Sequence, residues 1–506
     1  MEQASLTPSE TFQSNDRRRW FALVVVCLAQ LMIVLDTTIV NVALPSIQRE
    51  LHFSQGNLTW VVNAFLVMFG SFLLLAGRLG DLIGRKRVFL AGVTVFTAAS
   101  VLCGLAPSQG MLIAARLIQG FGAALQASVI LAIIVTEFPA AHDRARAMSA
   151  YMFVAVAGGS LGLLAGGVLT QALSWHWIFF VNVPIGVATV LLGRALIPAD
   201  EGRGLRHGVD WLGSVLVTSS VMSAVYAIVE VTNHGWGSSQ TLGFGALAAA
   251  LMATFLAFEA RIENPIMPLR ILRVRTLVSS SVVRGFLVTS MYSTFFLGAL
   301  YFEHVRHFGA FQTGLAFLPW TVPVALLSLG VTARLLERFG AVRLMVGGMS
   351  STVTGLVLLS TVGAHTPFFP LPFLALAAMG IGIGNAFMPL MTVAMSDVPA
   401  ADAGLGSGIV NVSQQVSGAL GLAVLGTVAT SHSKALLAAH HGVIGSLLGG
   451  YHLAFLIGAS SATIAIVLAL VLLRDRGPAL TESRVEPEPV PLVRGPASVE
   501  LDRQAA

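Results

Sequence analysis

Apolar residues gather in runs of about twenty, the length at which a helix crosses a bilayer, and the charges collect in short loops between them. Such runs lie near 20–44, 57–77, 88–106, 111–135, 146–170 and 178–197, then near 209–230 and 241–259. Six more follow near 276–302, 311–333, 343–362, 371–394, 405–430 and 452–473. The pattern predicts an all-α integral membrane protein of fourteen spans.

The runs repeat. GRLGDLIGRKR from Gly77 returns in weakened form as ARLLERFGAVR from Ala333, with Arg78/Arg334, Leu79/Leu335, Asp81/Glu337, Gly84/Gly340 and Arg87/Arg343 in step, 256 residues apart. GSLGLLAGG from Gly159 returns as GALGLAVLG from Gly418, 259 residues on. Both pairs place the same boundary, so two six-helix bundles are expected, over 20–197 and 276–473, with a helix pair and cytoplasmic loops inserted over 198–275. Repeated helical halves are a common build of alternating-access transporters. Residues 1–19 read as a cytoplasmic tail. The tail 474–506, with Pro487, Pro489 and Pro491 among glutamates, reads as a disordered one.

Composition agrees with the pattern. Of the 506 residues 55% are hydrophobic and 10% charged, with a mean hydropathy of +0.82, whereas soluble domains carry about 25% charged residues. The net charge of +5 does not point to nucleic acid, because the basic residues are spread over many loops and form no single patch. They report orientation. Of the 29 Lys and Arg, 24 fall on the side of the N-terminus, three (Arg49, Arg306, Lys434) opposite, and two (Arg116, Arg284) within spans. By the positive-inside rule both termini face the cytoplasm. No cleavage site follows a short apolar core after Arg17–Arg19, so the first span is expected to remain uncleaved. Cys27 and Cys103 sit at opposite ends of their spans, too far apart for a disulfide.

An ionisable side chain in a span costs about 2.5–3.5 kcal/mol on insertion scales and is functional by default. Asp36 and Arg116 qualify: they lie about 12 Å and about 8 Å inside the outer ends of the first and fourth spans, within reach of one another. Asp36 is the candidate proton carrier, since a helix motion that parts the pair would change whether the acid holds a proton. The alternative is a static pair, or an acid satisfied by Thr37, Thr38 or Asn41. Arg284, in the inner half of the ninth span, could meet an anionic substrate or snorkel to a lipid phosphate. Glu230 and Glu303 stand at outer span ends, as solvated rim charges or a cation entry site.

Gly158, Gly159, Gly162, Gly166 and Gly167 in the fifth span permit close helix contact. In the loop Gly77, Arg78, Gly80, Asp81, Gly84, Arg85 and Arg87, Asp81 is placed to face a helix N-terminus in the other bundle, and Arg85 and Arg87 to meet acids or lipid phosphates. Such contacts can form in one conformation and break in another. The outer-loop histidines, such as His304, His307, His440 and His441, lack the acidic or cysteine partners of a zinc site. No Walker loop is present, so ATP is not the expected energy source.

At these residues the chain resembles the major facilitator superfamily, and within it the fourteen-span drug:proton antiporters. LDTTIVNVALP (Leu35–Pro45) resembles the first-helix motif, GRLGDLIGRKR the signature loop between helices two and three, and RLIQGFGAAL (Arg116–Leu125) the fourth-helix motif, whose arginine is assigned to proton coupling. SWHWIFFVNVPIG (Ser174–Gly186) resembles the segment entering helix six. The chain departs from the pattern at Leu82, where a basic residue is usual, and at Gly162-Leu163-Leu164-Ala165-Gly166-Gly167, where a proline is expected at the second place. It departs again at His176, commonly arginine, and at Glu303, often glutamine.

The resemblance implies a monomeric inner-membrane exporter without cofactor. It would use the proton gradient to expel a lipophilic cationic or neutral drug, with lipid and protons as its other partners. A proton symporter importing a small solute, or a non-transporting membrane sensor or enzyme, are the alternatives.

Overall fold

The computed structural model describes residues 8–200, 202, 210–262, 265, 267, 269–399 and 403–473. The expected tail 474–506 lies outside them. Helices make up the described chain, and no strand occurs among the described residues. The first group comprises α1 (Pro8–Leu51), α2 (Trp60–Ile83), α3 (Arg85–Gly104), α4 (Gln109–Glu137), α5 (Ala141–Ala172), α6 (Trp177–Phe180) and α7 (Asn182–Leu196). The inserted segment holds α8 (Trp211–His234) and α9 (Ser239–Glu259). Then follow α10 (Arg275–Leu300), α11 (Ala310–Ala316), α12 (Leu318–Leu326), α13 (Thr332–Phe339), α14 (Ala341–Leu359), α15 (Leu371–Met395), α16 (Ala403–Ala438) and α17 (Val443–Leu472).

Among the described residues, twelve helices are long and apolar enough to cross a membrane. Two expected spans fall outside that set. For 146–170, α5 is continuous, but only its Leu161–Ala172 stretch counts as an apolar helix among the described residues. The run 311–333 is divided into α11, α12, a π-turn over Leu327–Val331 and α13. The cause is local. Pro319 and Pro323 remove backbone donors, Gly330 takes a φ of +109°, and the i→i+5 turn accommodates the slack. At the other end of the chain, α1 starts at Pro8 and so enters the segment expected to be a tail.

Side chains that can accept a backbone N–H start several of these helices. Ser108 caps α4, Asp210 caps α8 and Ser238 caps α9. Gly84 and Gly340, the paired glycines of the repeated loops, both stand at positive φ, +100° and +80°, between consecutive helices. A side chain would be strained there.

Packing follows small residues. In the first group α1 lies against α5 and α7, α4 against α2 and α3, and α3 against α7. In the other, α10 lies against α16 and α17, and α14 against α15 and α17. The groups meet along α2–α16 and α5–α11. At the second seam a Cβ on Gly167 would sit 2.8 Å from the Ala310 carbonyl oxygen, and one on Gly314 2.7 Å from that of Leu163. The hairpin α8–α9 rests through α8 on both α2 and α16, against the first seam.

Candidate functional site

Asp36 and Arg116 meet in the interior of the first group. Arg116 Nη1 donates to Asp36 Oδ2 at 2.5 Å, and the two side chains are 0% and 1% exposed. A charge removed from water this completely needs partners in place of its lost hydration, and five further residues build that surrounding. Gln119 Nε2 donates to Asp36 Oδ1 at 2.8 Å and to Ser100 Oγ at 2.9 Å. Gln119 Oε1 accepts from Arg116 Nη1 at 2.7 Å. Arg116 Nε donates to the Val61 carbonyl at 2.9 Å. The guanidinium also lies over the Phe65 ring at 4.5 Å and near Phe179 at 5.8 Å, where the ring faces attract a cation. Helices α1, α2, α3, α4 and α6 all contribute, with α2 and α4 supplying two residues each.

Thr37, Thr38 and Asn41 are not partners of the acid. The threonines donate to the Val34 carbonyl and Asn41 to that of Thr37, all within α1. The residue in that place is Gln119, three positions beyond Arg116 on the same face of α4. Its signals in the sequence are its place in the fourth span and that spacing. Cys103 Sγ approaches Gln119 Oε1 at 3.6 Å, and both cysteines are unbridged.

The fifth-helix glycines back this site. Gly158 faces Leu31 and Val34, Gly162 faces Leu35 and Thr38, and Gly166 faces Ile39, all on α1. Gly167 turns the other way, to α11. Asp36 is therefore carried on a helix held at near backbone contact.

The signature loop joins the end of α2 to the start of α3. Gly80 packs on Val129 of α4, and Gly77 stands 3.9 Å (as a would-be Cβ) from Ser128. Asp81 pairs with Arg85 at 3.5 Å, a contact within the loop rather than the one expected with the other bundle. Arg78 is half-buried and Arg87 exposed. The acid at a helix N-terminus is one that sequence did not single out: Asp200 accepts from the backbone N–H of Arg85 at 2.6 Å and of Lys86 at 3.1 Å. Arg85 also donates to Thr136 and Lys86 to the Arg194 carbonyl. The loop is thus tied to α4 and to the chain after α7.

The remaining candidates lie apart. Arg284, 9% exposed, binds Gln414 of α16 through Nε at 3.0 Å and lies over Phe387 of α15 at 4.6 Å. Both partners lie in the same helix group as Arg284 itself. Glu230 pairs with His234 at 2.9 Å at the end of α8. Glu303 is half-buried in the π-turn Tyr301–Val305, with Oε1 buried and lacking a hydrogen-bond partner among the described residues. No group of three or more metal-ligating side chains occurs among the described residues.

Residues 26–422 match the pattern of the Major Facilitator Superfamily. The chain belongs to that family. It is a multi-pass membrane transporter, not an enzyme. The puromycin resistance protein pur8 of Streptomyces alboniger is 36% identical over 481 residues, covering 94% of this chain and 95% of the relative. The cephamycin export protein CmcT of Amycolatopsis lactamdurans is 35% identical, covering 83% and 88%. The methylenomycin A resistance protein of Streptomyces coelicolor is 34% identical, covering 85% and 89%. Among solved structures, an auto-inhibited peptide transporter of the POT family aligns with a TM-score of 0.65 at 17% identity, over 91% of this chain and 98% of that one. A bacterial homologue of the lysosomal transporter Spinster aligns at 0.61 and 16%, over 90% and 97%. These two likenesses speak to the fold.

Proposed function

We propose that this transporter exports a lipophilic antibiotic or drug, cationic or neutral, in exchange for protons. The relatives named for resistance and export to puromycin, cephamycin and methylenomycin A support the class of cargo. The buried set of Asp36, Arg116 and Gln119 supports the coupling and carries the proposal. It is a carboxylate shut from water, with its counter-charge on a different helix, so α1 and α4 cannot shift relative to one another without re-partnering the acid. In this cycle a proton from outside binds Asp36, the pairing weakens, and the inward-facing form is favoured. Drug binds between the bundles of the inward-facing form as the proton leaves Asp36 for the cytoplasm, Asp36 pairs with Arg116 again, and outward opening then releases the drug outside. The proton gradient is the energy source, and no cofactor takes part.

The working topology has fourteen spans, counting α5 and the broken run 311–333, with bundles at 20–197 and 276–473 and an inserted pair within 198–275. The protein lies in the cell membrane as a monomer, with both termini in the cytoplasm. The 24-to-3 bias of basic residues supports that orientation. Loop Gly77–Arg87 serves the conformational change, and Gly158, Gly162, Gly166 and Gly167 serve helix packing. Arg284, Glu230 and Glu303 are secondary candidates for cargo contact. Leu163, in place of the antiporter proline, favours a second reading, proton symport, in which protons and cargo move the same way.

Efflux of a fluorescent dye from cells expressing wild type or Asp36→Asn, with and without an uncoupler, tests the proposal. Antiport requires that the mutation and the uncoupler each abolish wild-type efflux. Undiminished efflux in the mutant would remove Asp36 from the mechanism, and efflux indifferent to the uncoupler would remove proton coupling.

A further inference from the structure

The outer face of the Asp36–Arg116 site is covered by a linked series of side chains. Glu50, at the outer end of α1, accepts from Trp175 Nε1 at 2.8 Å. The same carboxylate lies 3.6 Å from His176 Nε2. The His176 ring stacks on Trp175, with centroids 3.8 Å apart and planes at 25°. Trp175, 2% exposed, stands edge-on to Phe179 at 6.3 Å. Phe179, fully buried, lies 5.8 Å from the Arg116 guanidinium. One end of the series is open to solvent, with side-chain exposures of 28% for His176 and 54% for Glu50. The other touches the coupling arginine.

We infer that Glu50, Trp175 and His176 are positioning residues that hold Phe179 over Arg116, and that protonation of His176 tightens their hold. The chemistry follows from the geometry. A protonated imidazole would gain an ion pair with Glu50 and a cation–π contact with Trp175 together, and a neutral one would have neither. Histidine is the side chain that ordinarily changes charge between pH 5 and 8. The charged or titratable neighbours are few. Glu50 faces the ring from α1, with Arg49 and His52 flanking it in sequence. The outer ends of α3 and α5 carry no charged residue, and the one charge on α7, Arg194, is at its far end. A permanent arginine, the residue usual here in the resembled family, would keep the hold tight at every pH. The histidine makes it conditional.

The inference rests on the proposed orientation, which puts His176 outside, and on the coupling role of Arg116. In physical terms it describes a brake. Acid outside tightens the cover over the proton site, and neutral or alkaline medium relaxes it.

Cys103, fully buried beside Gln119, reports opening without any transport. In the full-length protein carrying Cys27→Ser, its alkylation rate by a maleimide is compared among His176, His176→Arg and His176→Gln at each of two pH values, about 5.5 and about 8. Comparison at one pH cancels the thiol's own ionisation. At the lower pH wild type should match His176→Arg, with His176→Gln about two- to fivefold faster, the range expected of a partly exposed ion pair. At the higher pH wild type should match His176→Gln. Equal rates in all three forms, or a wild type that follows one variant at both values, would overturn the inference. Uncoupler-insensitive dye efflux alongside the expected labelling would refute the coupling reading while leaving the cover intact.

Discussion

Gly162 and Gly159 lie on the same helix, yet a single methyl should have opposite effects at the two. A Cβ at Gly162 would stand 3.0 Å from the Leu35 carbonyl oxygen and 3.2 Å from Thr38 Cβ, and it would collide with Thr38 Oγ1. Thr38 cannot simply turn aside, because its hydroxyl donates to Val34 and Leu35. At Gly159 the nearest atoms would be 3.9 and 4.0 Å away, ordinary contact. Exchanging glycine for alanine in a helix gains about 1 kcal/mol at either position. Overpacking costs about 1–3 kcal/mol and arises only at Gly162, so the two variants should differ by about that amount. Thermal unfolding of the purified protein in detergent would rank Gly159→Ala at or above wild type and Gly162→Ala below Gly159→Ala. Function should separate them further. Leu35 and Thr38 flank Asp36, so a displaced α1 loosens contacts of 2.5 and 2.8 Å at the acid, and Gly162→Ala should lose efflux that Gly159→Ala keeps. Equal midpoints for the two variants would refute the packing argument. Equal efflux would refute its link to the site.

Gln119→Leu removes two hydrogen bonds to charged partners, each worth about 1.5–3 kcal/mol; purified protein should remain folded by size-exclusion profile, with a lowered melting midpoint and dye efflux reduced at least about tenfold. Asp200→Ala uncaps α3 at a cost of about 0.5–2 kcal/mol. It should lower the midpoint while leaving an Asp36-dependent efflux, and an unchanged midpoint would deny the cap its role.

The chemistry of the first and fourth helices was legible because charge in an apolar run is rare and helix rise converts sequence position into depth. Asp36 and Arg116 were paired on those two facts alone. Gln119 is not marked in the same way, because an uncharged amide in a span carries no comparable cost, although its spacing from Arg116 puts it on the right face. Asp200 goes unmarked for a different reason. It reaches the start of α3 from 115 positions away, and sequence assigned the helix-facing role to Asp81 because that acid stood in the motif. Hydropathy alone makes 311–333 one helix, although Pro319, Pro323 and Gly330 stand within it. Mean apolarity measures affinity for the bilayer and is blind to whether each carbonyl finds its donor.

The hairpin α8–α9 gives the molecule a front and a back. With α8 wedged against both α2 and α16, one flank is shuttered from the surrounding acyl chains, while the α5–α11 flank has no such screen among the described residues. Anything moving between the groups from the side would meet the added hairpin at one seam and, at the other, only the glycine-lined contact of α5 with α11.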